Sequence, residues 1–275
     1  DLRSGIMEFK KNIVFVGDSY CSCWANTSPI PHRHAQQKEE DKTRISWLDV
    51  AAAELELNLY SFGFASRSWY YSRQQLFDHM QYDPDWIESV DLMVFCHTDS
   101  TRYNTGNGNI GNDMLNLSYR PHPDDSQYKY KMNLGESLQR WVVDIVDYPF
   151  QDWAQEQWFH EIARTFKDVK QIHFNNYTFT VDNSIAILPG VVYTTPLIHI
   201  SLGEATGTDA EVTKNFMSDD QRANHFNTAN NIALGELVVA TAQNYQPGVY
   251  PIDFSTFNIT NPNSTRWPNP RFGTR

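Results

Sequence analysis

Short apolar runs alternate along the chain with longer stretches whose apolar residues recur at helical spacing. The run at 90–97 is apolar enough to be covered on both faces of a sheet. The predicted strands are 12–17, 59–64, 90–97, 171–176 and part of 184–201. The predicted helices are 43–58, 68–80 and 227–243, with Ser68 as one N-cap and Asn227 or Thr228 as another.

This order of strands and helices predicts the fold class. A β-α-β-α-β alternation indicates an α/β protein with a parallel sheet between helix layers and right-handed crossovers. Residues 98–134, rich in Asn, Asp, Tyr and Gly, predict a long loop insertion, and 135–167 predict one or two packed helices. Because no repeat or clear linker is visible, we expect one domain over 7–245 and an extended Pro- and Asn-rich tail over 246–275.

Composition narrows the classes of function. The 275 residues carry a formal net charge of -11, which opposes sequence-independent binding to nucleic acid and adsorption to anionic membranes. The first residues, "DLRSGIMEFKKN", contain no apolar signal region, and no apolar run is long enough to span a bilayer. Cys21, Cys23 and Cys96 make an odd count, typical of free thiols in a reducing compartment. These features predict a cytoplasmic protein and leave its oligomeric state open.

Polar residues follow the predicted strands at the edge where open parallel sheets bind ligands. Gly-Asp-Ser at 17–19 follows the first strand, Gly63 lies near the end of the second, and His-Thr-Asp at 97–99 follows the third. His225 stands just before the last predicted helix. Ser19 is therefore either a turn or cap residue or a nucleophile, and His225 is either its base or a surface residue at a helix start.

The residue types at this edge fit nucleophilic catalysis. A serine attacks an acyl carbon when a histidine takes its proton and an acidic group orients that histidine. Asp219 and Asp220 lie shortly upstream of His225. Backbone N–H groups at Ser19 and Gly63 can stabilise the oxyanion that forms.

In these residues the chain resembles the SGNH (GDSL-like) hydrolase family over roughly residues 12 to 243. The family's first block is a strand followed by Gly-Asp-Ser, matched by "IVFVGDSY". Its second is a lone glycine after strand two, matched by Gly63, and its last, Asp-x-x-His, is approximated by "DDQRANHFN". The resemblance implies a three-layer α/β/α sandwich with a mostly parallel, flavodoxin-like sheet of about five strands. It also implies Ser19 as nucleophile, His225 as base and Gly63 in the oxyanion hole.

The implied activity is that of a serine esterase or deacetylase that acts through an acyl-serine intermediate on small acyl esters or acylated carbohydrate. No cofactor or metal is expected, because the cysteines and the pair His32 and His34 make no convincing site. One rival is a binding or structural protein on the same fold with weak or no catalysis. Another rival is a nucleotide- or phosphate-binding flavodoxin-like module. The first turn argues against it, because that turn has no Gly-rich loop to bind a phosphate group.

The third block departs from the family pattern. The family has Gly-x-Asn-Asp after strand three, with an Asn side chain that donates to the oxyanion, whereas "FCHTDSTRYN" puts Asp99 near that position. An ionised Asp accepts hydrogen bonds and cannot donate one. Thr98, Arg102 and Asn104 are candidates for the missing donor. Two roles remain open for His97: it contacts the substrate, or it belongs to a buried network whose hydrogen bonds are satisfied.

The spacing of the last block also departs from the family pattern. The family's Asp lies three residues before its His, and Arg222 occupies that position here. Asp220 lies five residues before His225 and Asp219 six, so Asp220 is the favoured orienter of the imidazole. Asp18 is expected to be structural, as an acceptor of backbone N–H bonds in the nucleophile's turn.

Residues 148–166 are unusually rich in Trp and Phe. Trp158, Ile162 and Phe166 have helical spacing, which predicts core packing rather than a ligand platform. Exposed aromatic residues near the active edge would instead indicate stacking against sugars.

Overall fold

The computed structural model describes residues 11–21, 45–63, 68–98, 103–105, 108–110, 148–176, 184–204 and 226–259. The strands in these ranges are β1 (Asn12–Gly17), β2 (Asn58–Gly63), β3 (Val90–His97), β4 (Tyr103–Thr105), β5 (Gly108–Ile110), β6 (Lys170–Asn175), β7 (Val191–Tyr193) and β8 (Gly248–Tyr250). The helices are α1 (Trp47–Glu54), α2 (Trp69–Tyr82), α3 (Tyr148–Thr165), α4 (Ile198–Glu204) and α5 (Thr228–Gln243).

Within the described residues, six strands form one sheet in the order β2-β1-β3-β6-β7-β8, and every neighbouring pair is parallel. This order confirms the predicted parallel α/β sheet. Because β1 lies between β2 and β3, the direction of chain progression reverses at the carboxyl end of β1. The remaining two strands, β4 and β5, form a separate antiparallel pair.

Alternate residues of β1 face two different helix layers. Ile13 and Phe15 pack into a core with α1, α4 and α5, whereas Val14 and Val16 pack into a core with α2 and α3. Successive strand residues point to opposite faces, so helices cover both sides of the sheet. The fold is therefore the expected three-layer α/β/α sandwich, and all of β1 is buried, as a central parallel strand requires.

The first helix is shorter than the predicted span of 43–58. It begins after Ser46, whose side chain forms a capping box with Asp49. It ends before Glu56, which has a φ of 55°, a left-handed conformation that an α-helix cannot continue through. The apolar periodicity thus extends beyond the helix at both ends.

Side-chain caps begin two further helices where the sequence indicated. Ser68 accepts a hydrogen bond from the backbone of Tyr71 and starts α2, as predicted. Of the two candidates for the last helix, Asn227 rather than Thr228 is the cap, because its side chain accepts from the backbone of Asn230.

The sheet has one more strand than the expected number of about five. The additional strand, β8, pairs with β7 and comes from the 246–275 segment that was predicted to be an extended tail. Ile252 and Phe257, which follow β8, are buried in the core. The chain therefore remains part of the packed body through these residues.

The predicted loop insertion at 98–134 contains β4 and β5, and the predicted helical region at 135–167 contains α3. The other residues of 99–147 lie outside the described ranges. In the part of the chain that is described, no helix combines the length and the apolar character needed to cross a bilayer.

Candidate active site at the carboxyl edge of the sheet

The end of β1 is held by neighbouring elements on two sides. A Cβ on Gly17 would lie 2.6 Å from the carbonyl oxygen of Cys96 in β3, so the close approach of the two strands requires glycine. The side chain of Ser72 in α2 donates to the carbonyl of Gly17. A 3₁₀ turn over 19–21 follows, and Ser19 is its first residue, although its side chain lies outside the described part of the structure.

Asp18 fixes this turn from within the protein. It is fully buried, and its Oδ1 accepts from the backbone N–H of Tyr20 at 3.1 Å and from Nδ2 of Asn176 at 2.7 Å. Its carbonyl accepts from the N–H of Cys21 at 3.1 Å. The expected structural role of Asp18 is confirmed by these contacts.

Asn176 is a site residue that the sequence analysis did not single out. It follows β6 directly, so the rule that polar residues gather at the carboxyl ends of parallel strands would have found it. Its Nδ2 joins β6 to the Asp18 turn, and its side chain is completely buried.

Gly63 ends β2 opposite Gly17 in the strand register. A Cβ on residue 63 would lie 2.5 Å from the Cβ of Cys21 and closer still to the carbonyl group of Cys21. The Ser61 hydroxyl donates to that carbonyl at 2.6 Å and accepts from the N–H of Gly63 at 3.2 Å. Glycine is thus required for packing, and its amide already has an acceptor that an oxyanion would have to displace.

Thr98 follows β3 at the same edge. Its carbonyl accepts from Nε2 of Gln155 in α3 at 2.7 Å. Its hydroxyl is buried and has no hydrogen-bond partner among the residues that the structure describes. A buried hydroxyl without a partner carries a desolvation cost, so Thr98 is a donor available to a bound group. Gly17 and Cys96 are neighbours across β1 and β3. Ser19 and Thr98 each lie two residues further along their chain segments, so they occupy equivalent places at the edge of the sheet.

His97 belongs to a buried histidine pair. Its Nε2 lies 3.1 Å from Nδ1 of His173, and Nε2 of His173 lies 2.8 Å from the carbonyl oxygen of Pro189. A carbonyl only accepts, so Nε2 of His173 carries a proton, Nδ1 of His173 accepts, and His97 donates through Nε2. Of the two roles left open for His97, the structure shows the satisfied buried network.

Burial keeps both imidazoles of this pair neutral. It lowers the pKa of His173 from 6.5 to about 3, with the hydrogen bond to Pro189 acting in the opposite direction. Burial also lowers the pKa of His97 well below its usual value, and the neighbouring His173 lowers it further. The ring of Phe159 packs edge-on against His97 with centroids 4.7 Å apart. Neither histidine is therefore positioned as a solvent-exchanging base.

The start of α5 packs against the turn that contains Ser19. The ring centroids of Phe226 and Tyr20 are 5.3 Å apart. Trp47 bridges the same two elements, because its Nε1 donates to the carbonyl of Tyr20 at 2.8 Å and its backbone N–H donates to Oδ1 of Asn231 at 3.1 Å. The contacts join residues that are far apart in the sequence, and no local pattern indicated them.

Several of the predicted site residues are not among those that the structure describes. The residues that lie outside the described ranges are Asp99, Arg102, Asp219, Asp220 and His225. The structure brings the other predicted positions together, since the Ser19 turn, Gly63 and Thr98 follow or end three adjacent strands.

Cys21 and Cys96 are both buried and free. The Cys21 sulfur and the Cys96 Cβ both lie within about 3 Å of the position that a Cβ on Gly17 would take. Burial raises the pKa of each thiol, that of Cys96 well above its usual value, so both are held protonated rather than as metal-binding thiolates. Among the residues that the structure describes, no group of three or more His, Cys, Asp or Glu side chains is arranged to hold a metal ion.

Comparison of the chain with protein-family models, with curated proteins and with solved structures gives no match in any of the three. The fold and the strand-end geometry define a three-layer α/β/α protein with a candidate site at the switch point of its sheet. The resemblance to the SGNH hydrolases rests on the sequence blocks themselves.

Proposed function

We propose that this chain is a serine ester hydrolase of the SGNH type, with Ser19 as nucleophile, His225 as general base and Asp220 as the residue that orients the imidazole. The observation that carries the proposal is the contact between Tyr20 and Phe226. Each of these residues is the immediate chain neighbour of a proposed catalytic residue. Their packing supports a site in which the serine and the histidine meet.

The position of the Ser19 turn supports the same proposal. Ligands of open α/β sheets bind beyond the carboxyl ends of the strands, at the point where the strand order reverses. The turn starts there and is tied to β6 through Asp18 and Asn176. A nucleophile on a firmly held turn is preorganised for attack, which lowers the cost of reaching the reactive geometry.

The reaction follows from these roles. The Ser19 hydroxyl attacks the ester carbonyl carbon while His225 takes its proton, and the imidazolium then protonates the departing alcohol. This leaves an acyl group on Ser19. Water, activated by His225, attacks that acyl group, releases the carboxylic acid and restores the serine hydroxyl. No cofactor is required.

The negative charge on the carbonyl oxygen needs donors in both steps. The backbone N–H of Ser19 and that of Gly63 are two of them, and the Gly63 amide must leave Ser61 to serve. We assign the third to the Thr98 hydroxyl rather than to Arg102 or Asn104, because that hydroxyl is buried at the same strand edge and has no partner in the described part of the chain. Asp99 in its ionised form cannot fill this role.

The proposed substrates are small acyl esters or acylated carbohydrate, and neither nucleic acid nor a membrane surface is proposed as a partner because the chain is acidic. The proposed compartment is the cytoplasm. Two neighbouring cysteines that are buried and unbonded fit a reducing environment.

The first test is hydrolysis of p-nitrophenyl acetate and butyrate by the wild type, Ser19→Ala and His225→Ala. Each substitution is expected to lower kcat by at least about 1,000-fold, since members of a catalytic triad act as a unit. Ser255→Ala, an exposed serine far along the chain, is the matched control and should retain the wild-type rate. Substituted proteins that fold and keep the wild-type rate would contradict the assignment.

A second candidate is a binding protein on the same fold without catalysis. It is favoured by one observation, the hydrogen bond that already engages the Gly63 amide. A serine-directed fluorophosphonate separates the two candidates, because it labels Ser19 only when a nearby base activates the hydroxyl. A folded wild type that neither hydrolyses esters nor takes the label would favour the binding protein.

A further inference from the structure

A groove of about 600 Å³ lies between α2 and α3, on the face of the sheet opposite α5. The side chains that form its walls are those of Trp69, Tyr70, Gln157, His160 and Arg164. None of these residues has a part in the proposed reaction. The groove is therefore a separate feature whose chemistry needs its own explanation.

The floor of the groove is a fixed ion pair. Nε and Nη2 of Arg73 donate to the two carboxylate oxygens of Glu161 at 2.5 and 2.6 Å. The guanidinium lies 4.8 Å above the ring of Phe77, so it is stacked as well as paired. This bidentate arrangement neutralises both charges and holds the floor rigid before any ligand arrives.

Aromatic rings are exposed on one wall of the groove and on the side of α3 that continues the other wall. Tyr70 is 51% exposed and Trp69 lies beside it with ring centroids 5.9 Å apart. Trp153, 53% exposed, precedes Gln157 by one helical turn and extends the same side of α3. Trp158 is buried, as core packing predicted, whereas about half of the Trp153 side chain is exposed and accessible to a ligand.

The wall also carries an uncompensated positive charge. Arg164 is exposed and has no acidic partner among the residues that the structure describes. With Arg73 neutralised by Glu161, the groove is locally positive on a chain whose net charge is -11. A guanidinium binds a carboxylate with two parallel hydrogen bonds, so the ligand that complements this wall is an anion.

The two helices that form the groove also reach the edge of the sheet that carries the Ser19 turn. Ser72, one helical turn after Trp69, donates to the carbonyl of Gly17 at the end of β1. In α3, the buried Gln155 donates to the carbonyl of Thr98. Both helices that form the groove are thus anchored at the edge of the sheet where the proposed reaction takes place.

We infer that the groove binds an oligosaccharide that carries carboxylate groups, with sugar rings stacked on Tyr70 and Trp153 and a carboxylate on Arg164. The C–H faces of the sugars match the exposed rings, and the hydroxyls match the polar Gln157 and His160. A polyphosphate chain is a poorer match, because it requires several Lys or Arg side chains and the described lining of the groove offers Arg164 as its one unpaired cation. The inference deepens the proposed function, on which its link to ester cleavage rests.

The test measures binding by calorimetry to the wild-type protein, because the probes carry no ester bond that the proposed hydrolase could cleave. The probes are tetragalacturonate and tetramannuronate as acidic chains and xylotetraose as a neutral chain. Acidic probes are expected to bind more tightly than the neutral one, with an affinity that falls as salt is added. Equal affinity for all three, or no binding of either acidic probe, would overturn the inference.

Variants of exposed residues locate the binding. Tyr70→Ala should weaken acidic-probe binding about two- to tenfold through lost stacking. Arg164→Gln should weaken it about two- to fivefold and reduce its salt dependence. Tyr82→Ala, an aromatic residue of α2 that is 90% exposed outside the groove, and Lys167→Gln are the matched controls and should bind as the parent protein does. Groove variants that bind like the controls would place the ligand elsewhere.

Hydrolysis of p-nitrophenyl acetate is then measured for the wild type and for the Tyr70→Ala and Arg164→Gln proteins, all of which retain Ser19. This assay separates the inference from the proposed function. The small ester does not reach the groove, so its rate should be unchanged in the Tyr70 and Arg164 variants. Hydrolysis without probe binding would refute the groove and leave the hydrolase standing. Probe binding by a folded protein that neither hydrolyses the ester nor takes the fluorophosphonate label would refute the hydrolase and leave a carbohydrate-binding protein.

Discussion

Replacement of His173 by Gln removes one member of the buried histidine pair without removing its hydrogen-bonding pattern. Gln can donate to the carbonyl of Pro189 and accept from His97, but it does not titrate. In the native protein burial lowers the pKa of His173 from 6.5 to about 3. Between those two values the unfolded chain binds a proton that the folded chain excludes, so stability must fall as the pH falls.

The size of the effect follows from the two pKa values. At pH 5 an imidazole with a pKa of 6.5 when unfolded and about 3 when folded costs roughly 2 kcal/mol of stability relative to pH 8. The loss begins as the pH falls through 6.5 and continues until the folded form protonates near 3. His97 shifts in the same direction and adds to the loss.

The assay is the free energy of unfolding in urea at pH 5, 6, 7 and 8 for the wild type and His173→Gln. Because burial also lowers the pKa values of His79 and His199, only the difference between the two proteins isolates His173. That difference is expected to change by roughly 2 kcal/mol in favour of the variant between pH 8 and pH 5. Gln157→Ala, which changes an exposed side chain that does not titrate, is the control and should give a curve parallel to the wild type.

Parallel curves for the wild type and His173→Gln would refute the reasoning. They would mean that the imidazole takes up its proton equally in the folded and unfolded states. The pair would then be open to water rather than sealed beneath Phe159.

Two further substitutions test the packing and the donor at the edge of the sheet. Gly63→Ala should lower the free energy of unfolding in urea by roughly 3 kcal/mol, because the added Cβ meets the backbone of Cys21, which cannot move aside. Gly248→Ala is the control and should cost far less, since its Cβ meets only the end of the Tyr250 side chain, which can move. Equal losses of stability in the two variants would count against the explanation. Thr98→Val removes a hydroxyl that has no partner within the described ranges, so it should leave stability nearly unchanged yet lower kcat for p-nitrophenyl acetate by about 100-fold without raising KM. An unaltered kcat would exclude the hydroxyl from the oxyanion hole.

Strands were predictable where the local pattern was strong. β3 occupies the predicted 90–97, and β1 the predicted 12–17, because both are continuous apolar runs with clear ends. β8 was missed because the three residues of 248–250 carry no run of their own. Their extended conformation depends on pairing with β7, which a local pattern cannot reveal.

The residues of the candidate site also fall into those that the local sequence reveals and those that depend on tertiary contacts. Gly63 and the Gly-Asp-Ser turn were recognisable because their residue types and their place after apolar runs are local features. The partner of Asp18 was not, although Asn176 lies at the same edge. The bond between the two joins residues 158 positions apart and forms only when β6 is placed two strands from β1.

By itself the sequence determined the alternation of strands and helices, the cap at Ser68, and the polar residues that end the strands, and it left Asn227 and Thr228 open as the cap of the last helix. These depend on interactions within a few residues, whose energies do not require the rest of the fold. Tertiary structure alone decided that His97 faces His173 and that the ion pair of Arg73 and Glu161 forms the floor of a groove. Each pair joins elements more than 70 residues apart, and only the strand order and the packing of α2 against α3 bring them within hydrogen-bond distance.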